Sequence, residues 1–301
     1  MIKKKIFLCG IGKIGLAHLM SFKEKKNYQF YLYDKYLSSE KIHNIIEKKK
    51  LGIHYKILKN FPKKSNFQTA LIASHSIDRL KVIKNVVKNN KVKFLLLEKF
   101  LFLKKNDYKE IKKIFNPKNI LVNVWGEIVF KILNLKKIKN RKFTIKIIVG
   151  EGSLLTNIIH YFYLFFFLTN DYFPKLIKRN IKIIKSKRKN SDEIKGEIHF
   201  ISKNKLMIMK TSKSIKNIHN IEINTNKKTK YRIDLPYIKY SNKRKKLFPT
   251  CKKITYLNVN NIDKKKFNNI YKLPKFNDID KHFLYILNHF KKINGRKLII
   301  N

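Results

Sequence analysis

Short apolar runs alternate with longer amphipathic stretches in the N-terminal part of the chain. Apolar runs bounded by polar turns predict buried strands, and apolar residues at helical spacing predict helices that dock one face on a sheet. The predicted strands are Ile6–Cys9, Tyr28–Tyr33, Tyr55–Leu58, Gln68–Ser74, Val92–Leu97 and Ile120–Val124. The predicted helices are Leu16–Lys25, Ser38–Lys50, Asp78–Lys88 and Lys104–Phe115. This alternation is typical of a parallel, doubly wound α/β sheet.

The pattern changes after residue 122, so we predict two domains, 1–122 and 123–301. In the second domain, short strands follow one another with hairpin-like turns, which favours an α+β domain on an open, largely antiparallel sheet. Its predicted strands are Phe143–Val149, Glu197–Ile201, Leu206–Lys210 and Ile218–Ile223, and its helices are Ser153–Leu168 and Asn277–Lys292. We expect the last helix to pack back near the first domain. The charge-dense runs Lys175–Asn190 and Asn242–Lys246 are interpreted as solvated loops or faces.

The first predicted strand leads directly into a glycine motif. Its residues are Gly10, Ile11, Gly12, Lys13, Ile14 and Gly15. The G-x-G-x-x-G spacing between a strand and a helix is the dinucleotide-binding fingerprint. Its glycines serve, in order, the tight turn, close approach of the backbone to a pyrophosphate, and close packing of helix on strand. The helix N-terminus then offers free N–H groups to the phosphates.

Polar residues follow two further strands at the edge where a parallel sheet collects its ligands. Asp34 ends the second strand 19 residues past Gly15, a spacing at which a carboxylate binds the ribose hydroxyls of NAD. The alternative is a solvated aspartate at a strand end, and the neighbouring Lys35 leaves NADP open. Ser74 and His75 border the same predicted crevice, or form a simple strand-end turn.

Two basic residues are the candidates for proton chemistry. Lys99 follows Glu98 at the end of an almost wholly apolar strand, at the edge where chemistry is placed in such sheets. His160 lies on the apolar helix Ser153–Leu168, one turn before Tyr163, so that the two can share a face. A lone histidine on an apolar helix is more often a core residue, and that alternative stays open.

The formal net charge of +52 would ordinarily indicate a polyanionic partner. However, lysine, asparagine, isoleucine, phenylalanine and tyrosine are all frequent in every segment, which is typical of an AT-rich coding sequence. Because the lysines form no single stripe or tail, we predict no dedicated nucleic-acid function.

A cytoplasmic protein without a membrane partner is expected from the remaining features. The two cysteines, Cys9 and Cys251, cannot build a disulfide framework, and we assign no metal ligands. The basic N-terminus is not followed by a convincing signal-peptide core, since Lys13 and three glycines interrupt it. The most apolar run, 158–168, is shorter than the roughly 20 residues that cross a bilayer.

Several of these motifs, taken together and in order, resemble the Gfo/Idh/MocA family. They are the glycine motif, Ala73–Arg79, Leu97-Glu98-Lys99, Leu154–Tyr161, Leu273-Pro274 and Asp280–Phe283. The resemblance covers most of the chain and implies an N-terminal Rossmann fold followed by an α/β domain whose open sheet often serves oligomerisation. It also implies NAD(P)-dependent oxidation or reduction of a sugar or sugar nucleotide, in one branch within surface-polysaccharide synthesis.

Carried over to this chain, the resemblance makes Lys99 the residue that holds the substrate oxygen near the nicotinamide. His160 would then be the general acid or base, and Glu98 the structural partner at the strand end. Two residues depart from the family pattern: Phe100 replaces the proline after the lysine, and Tyr163 replaces an aspartate. Tyr163 could supply its own hydroxyl. A sensor or pseudoenzyme that binds a dinucleotide without turnover is therefore the alternative function.

Overall fold

The computed structural model of the protein describes residues 4–23, 25–132, 135–186, 191–213, 219–225, 228–235, 237–240, 243–245, 273–293 and 296–298. These residues form two compact units. The first contains the described residues up to Asn123 together with 273–280, and the second contains the other described residues from Val124 onward. Among the described helices, none combines the length and hydropathy that a membrane-spanning helix needs.

The first unit is built on a parallel sheet with strand order β3-β2-β1-β4-β5-β6. Its strands are β1 (Lys4–Cys9), β2 (Tyr28–Tyr33), β3 (His54–Ile57), β4 (Asn66–Ile72), β5 (Lys91–Leu97) and β6 (Ile120–Val122). Its helices are α1 (Lys13–Ser21), α2 (Ser39–Lys48), α3 (Arg79–Asn89) and α4 (Lys105–Ile114). The predicted doubly wound fold is confirmed. Helix α1 starts earlier than Leu16 because Gly12, at the end of the glycine turn, is its N-cap.

Four of the central strands end level with one another. Cys9 pairs with Ile72, Ile72 with Leu97, and Leu97 with Val122. The ladder continues one residue further, since the backbone N–H groups of Ala73, Glu98 and Asn123 each donate to the neighbouring strand's last carbonyl. The residues that follow these strands therefore lie side by side along one edge of the sheet, as the alternation of strands and helices predicts.

The second unit contains a mixed sheet with strand order β14-β13-β12-β11-β7-β10-β9-β8. Its strands are β7 (Thr144–Gly150), β8 (Lys175–Lys185), β9 (Asp192–Ser202), β10 (Lys205–Ser212), β11 (His219–Thr225), β12 (Lys228–Leu235), β13 (Tyr237–Tyr240) and β14 (Lys243–Lys245). β7 and β10 are parallel and the other described pairs of this sheet are antiparallel, so the largely antiparallel prediction is confirmed. A short hairpin pairs β15 (Lys292–Ile293) with β16 (Arg296–Lys297).

Interpreting the charged run Lys175–Asn190 as a loop is wrong for its first part, because β8 occupies Lys175–Lys185 at the edge of this sheet. Most of its side chains are exposed, so the expected solvated face is present. Lysines on an edge strand keep its free backbone groups in water, which is why a strand can carry this composition. Residues 187–190 lie outside the described residues. Of the second charged run, Lys243–Lys245 forms the strand β14 rather than a loop, and residues 242 and 246 lie outside the described residues.

Helices α5 (Gly126–Ile132) and α6 (Leu154–Thr169) pack against each other, and α6 packs on β9 and β10. The first turn of α6 is capped from β9 by the buried Glu193. Its carboxylate accepts hydrogen bonds from the N–H groups of Leu155 (2.5 Å) and Thr156 (3.1 Å) and from the Thr156 hydroxyl (2.7 Å). Burial raises the pKa of Glu193, against the opposing effect of these hydrogen bonds.

Helix α7 (Phe276–Phe290) begins in the first unit and ends in the second. Its apolar residues Ile279, Phe283, Ile286, Leu287 and Phe290 are buried. Within the first unit it contacts α4, since the rings of Phe276 and Tyr108 lie 6.0 Å apart and Asp280 forms a 2.6 Å ion pair with Lys112.

His282 of α7 is fully buried among aromatic rings of the second unit. Its ring centroid lies 5.1 Å from those of Tyr172 and Phe166 and 5.8 Å from that of Tyr163. Neither ring nitrogen has a hydrogen-bond partner among the described residues. Burial lowers the pKa of His282 to about 4, with Lys281 adding to the effect and Asp171 opposing it.

This histidine predicts an acid-sensitive second unit. Because the pKa is lowered in the folded state, protons bind the unfolded chain preferentially between about pH 6.5 and pH 4, and stability is lost as the pH falls through that window. The loss attributable to His282 is on the order of 3 kcal/mol at pH 4. We expect His282→Phe to lose correspondingly less stability than the wild type in urea unfolding at pH 7 and pH 4.5. Equal losses in the two proteins would assign the acid sensitivity to another group.

Candidate functional site

The three motif glycines occupy three different environments. Gly10 has a φ of +92°, and a Cβ there would lie 2.8 Å from the Ala73 carbonyl carbon. A Cβ on Gly15 would lie 1.8 Å from the carbonyl oxygen of Gly10, so α1 can approach β1 closely only without a side chain. A Cβ on Gly12 would meet nothing within 4 Å, which leaves open space beside the backbone at the start of α1. The three environments match the turn, packing and close-approach roles of the fingerprint.

Asp34 joins the glycine turn to the end of β2. One carboxylate oxygen accepts the N–H of Ile11 at 2.7 Å, and the other accepts those of Tyr36 (2.8 Å) and Leu37 (3.1 Å). Of the other motif residues, Ile11 is buried, Ile14 is half-buried and Lys13 is exposed. Asp34 therefore has a local structural function, and it is also one of the residues that line the cavity described next.

A cavity of about 470 Å³ lies over the glycine turn in the first unit. Of the predicted cofactor-binding residues, those that line it are Gly10, Gly12, Asp34, Ser74 and His75. Further walls come from 35–37, Phe61 and α3. Lys35, the residue after Asp34, also lines the cavity, and its Nζ lies 4.0 Å from a carboxylate oxygen of Asp78. Glu98 and Lys99 are not among the described residues that line this cavity.

The residues of this cavity fit a dinucleotide. Gly12 leaves room for an approaching group, and no side chain of the described residues caps the N-terminus of α1, whose N–H groups are suited to phosphate oxygens. The buried Ser74 hydroxyl has no hydrogen-bond partner among the described residues. Because buried polar atoms are rarely left unsatisfied, a bound ligand is the natural partner for this hydroxyl.

Glu98 is buried and held by four different elements. Its carboxylate Oε1 accepts hydrogen bonds of 2.6 Å from His18 Nε2 of α1 and from the Asn123 side chain after β6. Its N–H donates to the Ile72 carbonyl of β4, and its own carbonyl accepts from Arg79 of α3. Burial alone would raise the pKa of Glu98, but His18, Asn123 and Lys99 together lower it, so the carboxylate is ionised at neutral pH.

Arg79 fastens the chain around this strand end. It is 2% exposed, and its guanidinium donates to the carbonyls of Ser74 (2.5 Å), Glu98 (2.5 Å), Phe100 and Leu101 (3.1 Å). Burial lowers the pKa of Arg79 to about 10, which still leaves it charged at neutral pH. A planar cation with several donors suits such a group of converging carbonyls.

Lys99 is half-buried directly after Glu98, and the peptide bond to Phe100 is cis. Because Arg79 holds the carbonyls on both sides of Lys99, the position of its backbone is strongly determined. The sequence indicates the strand end at Lys99, whereas the fastening by Arg79 and His18 was missed. The signals that could have found it are a histidine one helical turn after Gly15 and an arginine in the first turn of α3.

In the second unit, His160 is buried beneath Trp125. Their rings are stacked with centroids 4.6 Å apart, and the Trp125 N–H donates to His160 Nδ1 at 3.3 Å. The close approach depends on Gly126, because a Cβ there would lie 2.6 Å from the His160 carbonyl oxygen. An acceptor at Nδ1 places the proton of the neutral ring on Nε2, so the geometry favours a histidine that donates a hydrogen bond. Trp125, the one tryptophan of the chain, was missed by sequence reasoning.

Tyr163 lies in other surroundings on the same helix. Its ring packs 5.0 Å from Phe167 and 5.8 Å from His282, inside the aromatic cluster of the second unit. The predicted shared face of His160 and Tyr163 is thus divided between the Trp125 stack and this cluster.

The fold and the glycine turn define a two-domain protein with a dinucleotide-type cavity, and comparison with solved structures specifies the fold further. Gal80p from Saccharomyces cerevisiae, a super-repressor mutant, matches with a TM-score of 0.65 and 14% identity over 94% of each chain. The UDP-N-acetylglucosamine 3-dehydrogenase GnnA from Acidithiobacillus ferrooxidans matches with a TM-score of 0.62 and 10% identity, covering 96% of this chain and 97% of that one.

GenD2 from gentamicin A biosynthesis, in complex with NAD, matches with a TM-score of 0.62 and 10% identity, covering 100% of this chain and 97% of that one. The chain therefore shares the two-domain fold of these solved structures. No family model matches the sequence. No curated protein matches it either.

The environments of Gly12 and Gly15 predict that an alanine substitution destabilises the fold at Gly15 but not at Gly12. Gly15→Ala places a methyl group against the Gly10 carbonyl, and overpacking of this kind is expected to cost about 1–3 kcal/mol or more. Gly12→Ala meets open space and an extended backbone, so its thermal midpoint should stay close to that of the wild type. Thermal unfolding of the two variants measures the contrast, and equal destabilisation would contradict the packing role of Gly15.

Proposed function

We propose that the chain is an NAD(P)-dependent oxidoreductase that transfers a hydride to or from a hydroxyl or keto carbon of a sugar or sugar nucleotide. The observation that carries the proposal is the cavity over the glycine turn, together with Lys99 at the same sheet edge. The proposal is supported by the fold that the chain shares with GnnA, a UDP-N-acetylglucosamine 3-dehydrogenase, and with GenD2, which was crystallised with NAD. Sugar nucleotides of the kind used in surface-polysaccharide synthesis are the first substrates to test.

In the proposed site, Gly10 and Gly12 receive the pyrophosphate with the N–H groups of α1, and Ser74 and His75 line the path beyond it. Asp34 accepts the adenosine ribose hydroxyls. Its negative charge favours NAD over NADP, whereas Lys35 is the cation that could meet a 2′-phosphate. When bound, the nicotinamide supplies or accepts the hydride.

The proton chemistry falls to Lys99 and His160. We assign to Lys99 a hydrogen bond to the reacting oxygen, where its positive charge stabilises the negative charge that develops during hydride transfer. His160 is the general acid or base that we assign within the second unit, where its Nδ1 accepts the backbone N–H of Trp125 at 3.3 Å. Glu98 and Arg79 act as positioning residues for Lys99.

A dinucleotide-binding protein without turnover is the second candidate. Two observations favour it. Tyr163, at the position of an aspartate in the family that the chain resembles, packs in the aromatic cluster. Gal80p, crystallised as a super-repressor mutant, has the same fold. This candidate keeps the cavity of the first unit and removes the reaction.

Lys99→Ala separates binding from turnover. NADH affinity, measured by quenching of protein fluorescence, should remain within about threefold of the wild type, because Lys99 lies outside the lining of the cavity. Turnover should fall by about 10²- to 10⁴-fold, the usual contribution of a proton-handling group. The exposed Lys105→Ala on α4 is the matched control and should change neither quantity.

A wild-type protein that binds NADH but converts none of a broad panel of sugars, polyols and sugar nucleotides would establish the second candidate instead. Absence of NADH and NADPH binding would refute both.

We also propose that the sheet of the second unit forms the contact in a homo-oligomer. Its β9 and β10 alternate: Met207, Met209 and Phe200 are buried on the side of α6, whereas Leu206 and Ile208 are half-buried on the opposite face. Beside these apolar residues, Glu197 forms an ion pair with Lys178 and a hydrogen bond with His199. An apolar patch with charged neighbours is typical of a protein interface.

Ile208→Lys is expected to convert the oligomer to a monomer, because it places a charge at the centre of the proposed contact. Light scattering coupled to gel filtration measures the mass. The control, Ile45→Lys, changes a half-buried isoleucine of α2 in the other unit and should leave the mass unchanged. A monomeric wild type would refute the proposal.

A further inference from the structure

We propose that His18 is a positioning residue that couples the glycine turn to Lys99. The proposal rests on the proposed function, since it concerns how a bound dinucleotide affects the residue assigned to the substrate oxygen. It starts from one buried contact, the 2.6 Å hydrogen bond between His18 Nε2 and Glu98 Oε1.

This hydrogen bond links two parts of the first unit, because α1 contacts the glycine turn through Gly15 and the end of β5 through His18. Gly15 and His18 lie one turn apart on α1, on the side that faces the sheet. Gly15 presses against the Gly10 carbonyl, and His18 reaches Glu98 at the end of β5. A displacement of α1 when phosphates bind at its N-terminus is therefore carried to Glu98, and through one peptide unit to Lys99.

The other contacts of Glu98 explain why this link is effective. Arg79, Asn123 and the Ile72 carbonyl belong to elements that do not begin at the glycine turn. His18 is, among the described partners of Glu98, the one carried on the helix that starts there. A buried carboxylate also requires its donors, so Glu98 follows His18 rather than turning to solvent.

Two measurements test the coupling with NADH as the probe. The first is amide hydrogen exchange, which reports protection at residues 10–15 and 98–102 with and without saturating NADH. The second is steady-state kinetics on the substrate found for the wild type. The variants are His18→Leu, which removes the donor, and His18→Gln, whose amide N–H can still donate to Glu98. The matched control is His54→Leu, an exposed histidine of the same unit.

In the wild type, NADH is expected to slow exchange in both segments. In His18→Leu the protection at 10–15 remains and that at 98–102 is lost, while kcat falls about 10²-fold, the cost of a misplaced reacting group. NADH affinity should change by less than about threefold, because His18 lies behind the turn rather than in the cavity. His18→Gln should restore most of the protection and kcat, and His54→Leu should match the wild type.

Undiminished NADH protection at 98–102 in His18→Leu would overturn the coupling. If that variant does not fold, His18→Phe, which retains a ring of similar size but has no donor, takes its place and should show the same selective loss of protection. If the wild type shows the protection pattern but no turnover, the oxidoreductase proposal fails and the coupling stands on the exchange data. If the wild type binds no NADH, both fail.

Discussion

Four parallel strands of the first unit end level with one another in a buried region. The backbone carbonyls and the carboxylate that follow these strands must therefore find hydrogen-bond partners within the protein. Arg79 meets this requirement by collecting carbonyls from the ends of β4 and β5, and the pair of His18 and Asn123 meets it for the Glu98 carboxylate. Leaving a single buried donor or acceptor unpaired costs on the order of 1–3 kcal/mol, so these partners are strongly required. The same contacts fix the backbone around Lys99. The hydrogen bonds that satisfy the strand ends therefore also position the Lys99 side chain.

At the cavity over the glycine turn, one polar side chain likewise satisfies several backbone groups. Asp34 uses both carboxylate oxygens to hold the backbone of the turn and of the segment after β2, and it also lines the cavity. A carboxylate can accept about four hydrogen bonds, so three backbone donors leave capacity for a ligand hydroxyl. The structural and the ligand-binding interpretations of this residue are therefore compatible, although the sequence presents them as alternatives.

How much could be predicted from the sequence follows from the range of the interactions involved. The strands of the first unit and the type of each sheet depend on local periodicity and backbone geometry, and the strands of the first unit are predicted to within two residues at each end. The loop assigned to Lys175–Lys185 was wrong because an edge strand needs no buried face, and charge therefore gives no signal against it. The partners of Glu98, and Trp125 above His160, come from residues between 19 and 80 positions away, and periodicity contains no information about such pairs.

His160 and Tyr163 illustrate the limit of helical spacing as an argument for shared chemistry. Two residues one turn apart on a helix can contact different neighbouring elements. Here Gly126 allows Trp125 to pack on His160, whereas Tyr163 contacts His282 of α7. The family's aspartate at the Tyr163 position would be a buried carboxylate among aromatic rings, where burial already suppresses the charge of His282. Tyrosine is compatible with that apolar environment. With Tyr163 in this cluster, the described backbone donor to His160 Nδ1 is the Trp125 N–H, which favours the ring tautomer with its proton on Nε2.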